Sequence, residues 1–184
     1  DVPEDYSLSK NNMLQLEVHK SGKPLIDKKA IKNFLSDLNY PLYFMDFETF
    51  QPAVPLFDNS KPNQQIPFQY SIFLKKSKDS QAEHFEFLAE PGEDPRKKFI
   101  ESLLKVTKGK GDILVYNKTF EITRLNELAR DFPGYADEIE KLVYRIKDLM
   151  IPFQKKYYYA PEMKGSYSIK AVLPALVPEL SYDE

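Results

Sequence analysis

The chain has no cysteine and no tryptophan, and only two histidines, His19 and His84. Without cysteine, disulfides, thiolate metal sites and a cysteine nucleophile are all excluded. Two histidines are too few for a zinc site built mainly from imidazole. A metal ion here would be held by oxygen, which favours Mg2+ or Mn2+. An excess of positive charge is missing as well: 26 Lys and Arg face 28 Asp and Glu, for a net charge of −2 and a pI of about 5.8. The strongly basic footprint of many nucleic-acid-binding domains is therefore absent, although local patches count for more than the total. No run of apolar residues reaches the roughly 18 needed to read as a membrane span. The opening residues, DVPEDYSLSK, have neither the basic start nor the apolar stretch of a signal peptide. The cytoplasm is the expected compartment. The chain begins without Met and stops at Ser181-Tyr182-Asp183-Glu184, and both ends are expected to be cut from a longer protein.

What is present suits one ordinary domain with a tail. The 184 residues are 42% apolar and 29% charged, with an unusual 14% of aromatics, all Phe and Tyr. These values fit a globular protein with a sizeable core. Residues 1–26 read as a polar tail or linker, and residues 27–184 as the domain. Asp27 is placed to cap a helix whose apolar stripe is Ile31, Phe34, Leu35 and Leu38. Leu42–Met45 reads as a buried strand. The proline-rich segment 51–67 is a loop, and the runs 68–74 and 83–88 form an antiparallel hairpin around the polar residues between them. A helix follows from Asp94-Pro95 to Lys105, then a buried strand at 113–116 and a helix over 120–131. Residues 135–144 read as helical, 143–149 as containing a strand and 168–176 as a short helix. Three antiparallel strands followed by alternating helices and strands predict an α/β fold, a mixed sheet with helices on both faces.

Two features carry possible chemistry. In Tyr43-Phe44-Met45-Asp46-Phe47-Glu48-Thr49 two acids stand two apart at the end of an apolar run. On a strand they share a face while Phe47 enters the core. Such a pair repels itself unless a cation lies between, so it reads either as a metal cradle or as an ordinary turn with acids facing water. In Leu114-Val115-Tyr116-Asn117-Lys118-Thr119-Phe120-Glu121 an Asn follows a buried strand and a Glu falls in the first turn of the next helix. Asn117 or Thr119 reads as a helix cap with Glu121 at the positive helix end; the alternative is a third carboxylate aimed at the strand ends.

Taken together, the two features resemble a known family. Asp46-x-Glu48-Thr49 resembles the first motif of DEDD-type (DnaQ-like) 3′–5′ exonucleases of the ribonuclease H-like superfamily. Asn117-x-x-Phe120-Glu121 resembles their second, usually written H-N-x-x-F-D. Lys147-Asp148-Leu149 and Ser166-Tyr167-Ser168-Ile169-Lys170 look like the family's later Asp-bearing strand and its following helix. The resemblance spans roughly residues 40–180 and is closest to a bacterial family of domains of unknown function in which Gly165-Ser166-Tyr167-Ser168-Ile169-Lys170-x-Val172-Leu173-Pro174 is typical. In such proteins the domain often follows a RecB-like nuclease region. The resemblance implies a ribonuclease-H-like fold and metal-dependent hydrolysis of DNA or RNA. Asp46, Glu48 and Glu121 would hold two Mg2+ or Mn2+ ions about 4 Å apart with a fourth acid. Thr49 would contact the terminal nucleotide through its backbone, and Asn117 and Phe120 would shape the pocket for the strand end. Asp148 would support the site by orienting nearby groups, or would simply cap the following turn.

The pattern departs from the family in three places. Glu121 stands where Asp is usual, and Tyr116 where many relatives have His; Tyr116 reads as packing. The third motif, Tyr or His with an Asp a few residues on, is absent, and Tyr182-Asp183-Glu184 has the wrong spacing. Weak or absent activity is therefore expected of this fragment. The rival reading is a non-catalytic nucleic-acid-binding or scaffold module, and a third is another ribonuclease-H-like activity. Elsewhere, Tyr157-Tyr158-Tyr159 reads as a partly buried strand in preference to a base-stacking platform. Arg96-Lys97-Lys98 and Lys105, Lys108 and Lys110 read as solvated helix faces, with weak guidance of a phosphate backbone as the alternative. His84 reads as structural.

Overall fold

The computed structural model describes residues 6–180. The chain divides into two compact units, one of residues 38–149 and one of residues 1–37 with 150–184.

The segment expected to be a polar tail is not one. Lys10–Ser21 forms helix α1, with Ser9 accepting a hydrogen bond from the Asn12 N–H at 3.2 Å and Gly22 closing the helix at φ 65°. Its sequence carries no apolar stripe because Val18 alone is buried, so the 3.6-residue periodicity that betrays a packed helix is missing. Strand β1 (Leu25–Ile26) comes next. Helix α2 (Lys28–Ser36) begins where expected: the Asp27 carboxylate accepts from the Ala30 N–H at 2.9 Å. Its expected apolar stripe does not reach a core; none of its residues is fully buried, and Leu35 is exposed.

The central unit has the predicted order. Strand β2 (Leu42–Phe50), β3 (Ile66–Lys75) and β4 (Ala82–Leu88) form an antiparallel meander. Helix α3 (Arg96–Val106), strand β5 (Ile113–Val115), helices α4 (Thr119–Asp131) and α5 (Ala136–Tyr144) and strand β6 (Ile146–Asp148) complete it. The sheet order is β4-β3-β2-β5-β6, with β2, β5 and β6 parallel. It is a mixed α/β sheet.

Alternation along the strands decides where the core lies. Tyr43, Met45 and Phe47 on β2 are buried with Tyr70 and Ile72 on β3 and Ile113 and Val115 on β5. Against them pack Phe99, Ile100 and Leu103 from α3, Leu125 and Leu128 from α4, and Ile139 and Leu142 from α5. Phe47 and Phe99 meet edge to face at 5.1 Å, and Tyr70 and Phe99 at 5.6 Å, the geometry aromatic quadrupoles favour. All three helices of this unit therefore lie on one face, where helices on both had been expected. The other face presents Phe44, Asp46 and Glu48, all exposed, beside Phe73 and His84, whose rings stack at 4.4 Å. At the foot of β5, Gly111 sits at φ 97°, and a Cβ there would come within 2.0 Å of the Pro41 carbonyl oxygen; only glycine permits that approach.

Helix α6 (Ile151–Gln154), strand β7 (Tyr158–Tyr159) and helix α7 (Ile169–Leu176) belong to the other unit. There β7 pairs antiparallel with β1. Tyr159 is buried with Val18, Ala160, Met163 and Val172, and its hydroxyl accepts from the Gly165 N–H at 3.0 Å. Tyr159 is thus a core residue, in line with the strand reading of the tyrosine run. Among the described residues no helix is long and apolar enough to cross a membrane.

Candidate functional site

In open α/β sheets, ligands bind beyond the carboxyl ends of the parallel strands. The register brings the singled-out acids to that edge. Phe44 stands opposite Leu114, so Asp46 lies level with Tyr116, the first residue past β5. Val115 stands opposite Asp148, the last residue of β6. Asn117 comes next at φ 70°, turning the chain into α4, whose first turn holds Glu121.

Asp46 and Glu48 share the exposed face, as the spacing predicts, with Phe47 in the core. Partial loss of hydration raises the Asp46 pKa, offset in part by the Phe47 backbone N–H. Just past Glu48 the β2–β3 register slips, so that Thr49 pairs with Pro67. Such a bulge bends the strand and re-aims the side chains beyond it.

Glu121 differs from a helix-end acid in water. It is 2% exposed, and its Oε2 has no hydrogen-bond partner. Burial, followed by the negative charges of Asp46 and Asp148, pushes its pKa up to about 7 against the pull of its own backbone N–H. A carboxyl disfavoured this strongly in its charged form lacks a counter-charge.

Asp148 is 6% exposed, and its carboxylate accepts from the Asn117 N–H at 3.0 Å and the Lys118 N–H at 3.2 Å. It therefore fixes the β5–α4 turn from the neighbouring strand. The expected caps are corrected by the same contacts: Thr119 lies inside α4, and no side chain from its own sequence caps the helix. Tyr116 is half-buried, and burial together with the Asp148 charge raises its pKa. Phe120 is half-buried against the core, with the Arg124 guanidinium 5.6 Å above its ring, while the Asn117 side chain stays exposed. Asp148→Ala would leave two backbone donors without their charged acceptor. We expect a loss of about 2–3 kcal/mol, read by urea unfolding, with faster amide exchange at Asn117 and Lys118.

The arrangement brings Asp46, Glu121 and Asp148 into one field but not into one cage. Strand alternation puts Asp148 on the helix-covered side with Val115, and Asp46 on the opposite side. Among the described residues no three His, Asp or Glu side chains group closely enough to hold a metal ion.

Sequence reasoning missed one buried charged residue. Arg96, expected on a solvated helix face, is 2% exposed. Its guanidinium binds both Asp94 oxygens, Asp131 Oδ2 at 3.3 Å and the Asp58 carbonyl at 2.7 Å, tying down the loop after β2. Lys98 is exposed as expected and pairs with Glu93. The signal for Arg96 was its place one residue after Pro95 and two after an acid, where a side chain turns back onto its own helix start.

A family profile described as a domain of unknown function, DUF2779, matches residues 43–168. The chain belongs to this family. The DUF2779 match takes in both acid-bearing segments and runs on through Ser168. An uncharacterized protein of Ureaplasma parvum is 31% identical over 183 residues, covering 95% of this chain and 25% of the relative. One from Mycoplasma genitalium is 28% identical over 168 residues, covering 86% of this chain and 25% of the relative. The chain thus spans about a quarter of the length of the curated relatives it matches. No solved structure is matched by the chain. The expected resemblance to a bacterial family of domains of unknown function is met by DUF2779.

Proposed function

We propose that this DUF2779 domain is a ribonuclease-H-like nuclease domain of the DEDD type, acting with Mg2+ or Mn2+ from the 3′ end of DNA or RNA. The observation that carries this reading is Glu121: a buried carboxylate with one oxygen unpartnered, raised in pKa beside two further acids at the carboxyl edge of a parallel sheet. Strongly perturbed acids in such a place mark functional sites more often than structural ones. The strand order, with a three-strand meander leading into two parallel strands, supports the same reading.

The donor set suits a hard cation, because it is all oxygen. Asp46, Glu48 and Glu121, drawn closer together than they stand here, would hold the metal, whose chemistry there would be to activate water and stabilise the leaving oxygen. The chain's own residues do the rest. Asp148 holds the turn that carries Asn117 and leads into Glu121. Thr49, at the bulge, offers backbone to the terminal nucleotide, and Asn117 and Phe120 border the place where the strand end would lie. That a further, RecB-like nuclease region stands N-terminal to this domain in the full protein, and that the protein works in the cytoplasm, is part of the proposal.

The test is hydrolysis of 5′-labelled single-stranded DNA and RNA with Mn2+, by the chain and by its longer natural form, each as wild type and as Asp46→Ala. Stepwise shortening from the 3′ end by the long form, reduced at least about 100-fold by Asp46→Ala, is expected. Absence of hydrolysis in the long form on either substrate would refute the reading. The second reading, a non-catalytic nucleic-acid-binding scaffold, is favoured by one observation: among the described residues no three ligands stand together. It calls for oligonucleotide binding that is indifferent to Mn2+ and to Asp46→Ala.

A further inference from the structure

The central unit holds a cavity of about 890 Å3 beyond the ends of β2 and β4, walled by Phe50, Leu56, Phe57, Phe68, Leu88 and Pro95. Its size is that of a specific binding site. Three of its aromatic rings cluster, Phe50 lying 6.3 Å from Phe57 and 6.0 Å from Phe68. Its lips are bare: Leu88 is 65% exposed and Leu56 62%. Apolar side chains grouped at an open concavity mark an interaction site far better than the same residues scattered singly.

Charge narrows the occupant. Among the described residues, the ionisable ones lining the cavity are Glu90 and Glu93, and no Lys, Arg or His lines it. The exposed Lys98 pairs with Glu93 and is also drawn toward Glu90, so these three leave one negative charge in excess. Glu86, exposed on β4, adds another two residues before Leu88. A nucleic-acid strand entering here would press phosphates on a rim with a net negative charge. The edge of the sheet points to a peptide. β4 is an edge strand of its sheet, and Leu88, its last residue, forms part of the cavity wall. An extended segment added along β4 would gain main-chain hydrogen bonds and deliver a side chain into the cavity, the two halves of strand-addition recognition.

We propose that the β4 edge and the cavity at its end dock an extended peptide segment that carries a bulky apolar residue flanked by lysine or arginine. The apolar residue fills the space between Leu56, Phe57 and Leu88, and the basic flank lies over Glu86 and Glu90. The proposal stands whether or not the acid edge is a nuclease.

The experiment is fluorescence anisotropy on the full chain. The probes are a labelled peptide of alternating Lys and Phe or Leu, about eight residues long; its twin with every Lys replaced by Glu; and a labelled oligothymidylate of about the same length. The basic peptide should bind at least about tenfold more tightly than its twin and weaken as salt rises. Leu88→Asn should weaken it about tenfold, the share expected of one buried leucine. Leu88 is exposed, so this variant keeps the fold, checked by circular dichroism. Equal binding of the two peptides, or binding of the basic peptide unchanged by Leu88→Asn, overturns the proposal. So does oligothymidylate binding that Leu88→Asn abolishes, which would make the cavity a base pocket.

Discussion

Arg96→Met is expected to destabilise the central unit by about 3 kcal/mol, a fall in melting temperature of about 10 °C at this size. Arg96 and Asp131 are buried side chains, 2% and 6% exposed, and Asp94 is partly so. Removing the guanidinium strands the Asp131 carboxylate in the interior, where an uncompensated charge costs several kcal/mol. Asp131 keeps Gln64 at 2.9 Å and Arg130 at 2.9 Å, which holds the loss to the lower end of that range. The Asp58 carbonyl and the Phe132 ring, 5.3 Å from the guanidinium, lose their partner too. Adding Asp131→Asn should recover part of the loss, because it removes the stranded charge. Urea unfolding of the single and double variants reads both numbers, and a single variant as stable as the wild type would contradict the account. Since the loop behind β2 is held by these contacts, Arg96→Met should also loosen the wall formed by Leu56 and Phe57.

Glu121→Gln is expected to do the opposite. Its carboxyl pKa rises from an ordinary 4.5 to about 7 on folding, so between those values the folded state holds a proton that the unfolded state has lost. Stability contributed by this group is therefore full below pH 4.5, falls as pH rises toward 7 and stays low above it. The separation of about 2.5 amounts to about 3 kcal/mol at most. Glutamine keeps the shape and cannot ionise. The variant should be more stable than the wild type at pH 8, by up to about 3 kcal/mol, and nearly equal at pH 4.5. Urea unfolding at the two pH values tests this, and equal stability of variant and wild type at pH 8 would contradict it. A residue that weakens the fold at neutral pH yet sits in the first turn of α4 fits a site where function, not stability, set the side chain.

Much of the central sheet was legible because its residues obey simple periods. Leu42–Phe50 alternates so cleanly that Asp46, Phe47 and Glu48 could be assigned to faces from the sequence, and Phe99, Ile100 and Leu103 fall where α3 buries them. The failures share a physical origin. α1 was invisible because one residue of it is buried, and β1 because two residues are too short for a period. α2 shows the converse, since an apolar stripe says nothing of whether a partner surface covers it. Long-range polar contacts were the least legible. Asp148 serves residues 31 and 30 positions earlier, and Arg96 serves Asp131, 35 positions on; local spacing carries no trace of either. At the candidate site, the pairing of Asp46 with Glu48 was readable. The burial of Glu121 was not, because a first-turn Glu looks the same whether it meets water or the sheet edge.

We propose that Asp46, Glu48 and Glu121 come together as an oxygen site for a divalent cation. Calorimetric titration of Mn2+ into the chain at pH 8, as wild type and as Asp46→Ala, tests it most directly. The account predicts binding in the micromolar to millimolar range by the wild type, with at least about a tenfold loss in Asp46→Ala. Binding that Asp46→Ala leaves unchanged, or no binding by the wild type, would contradict it.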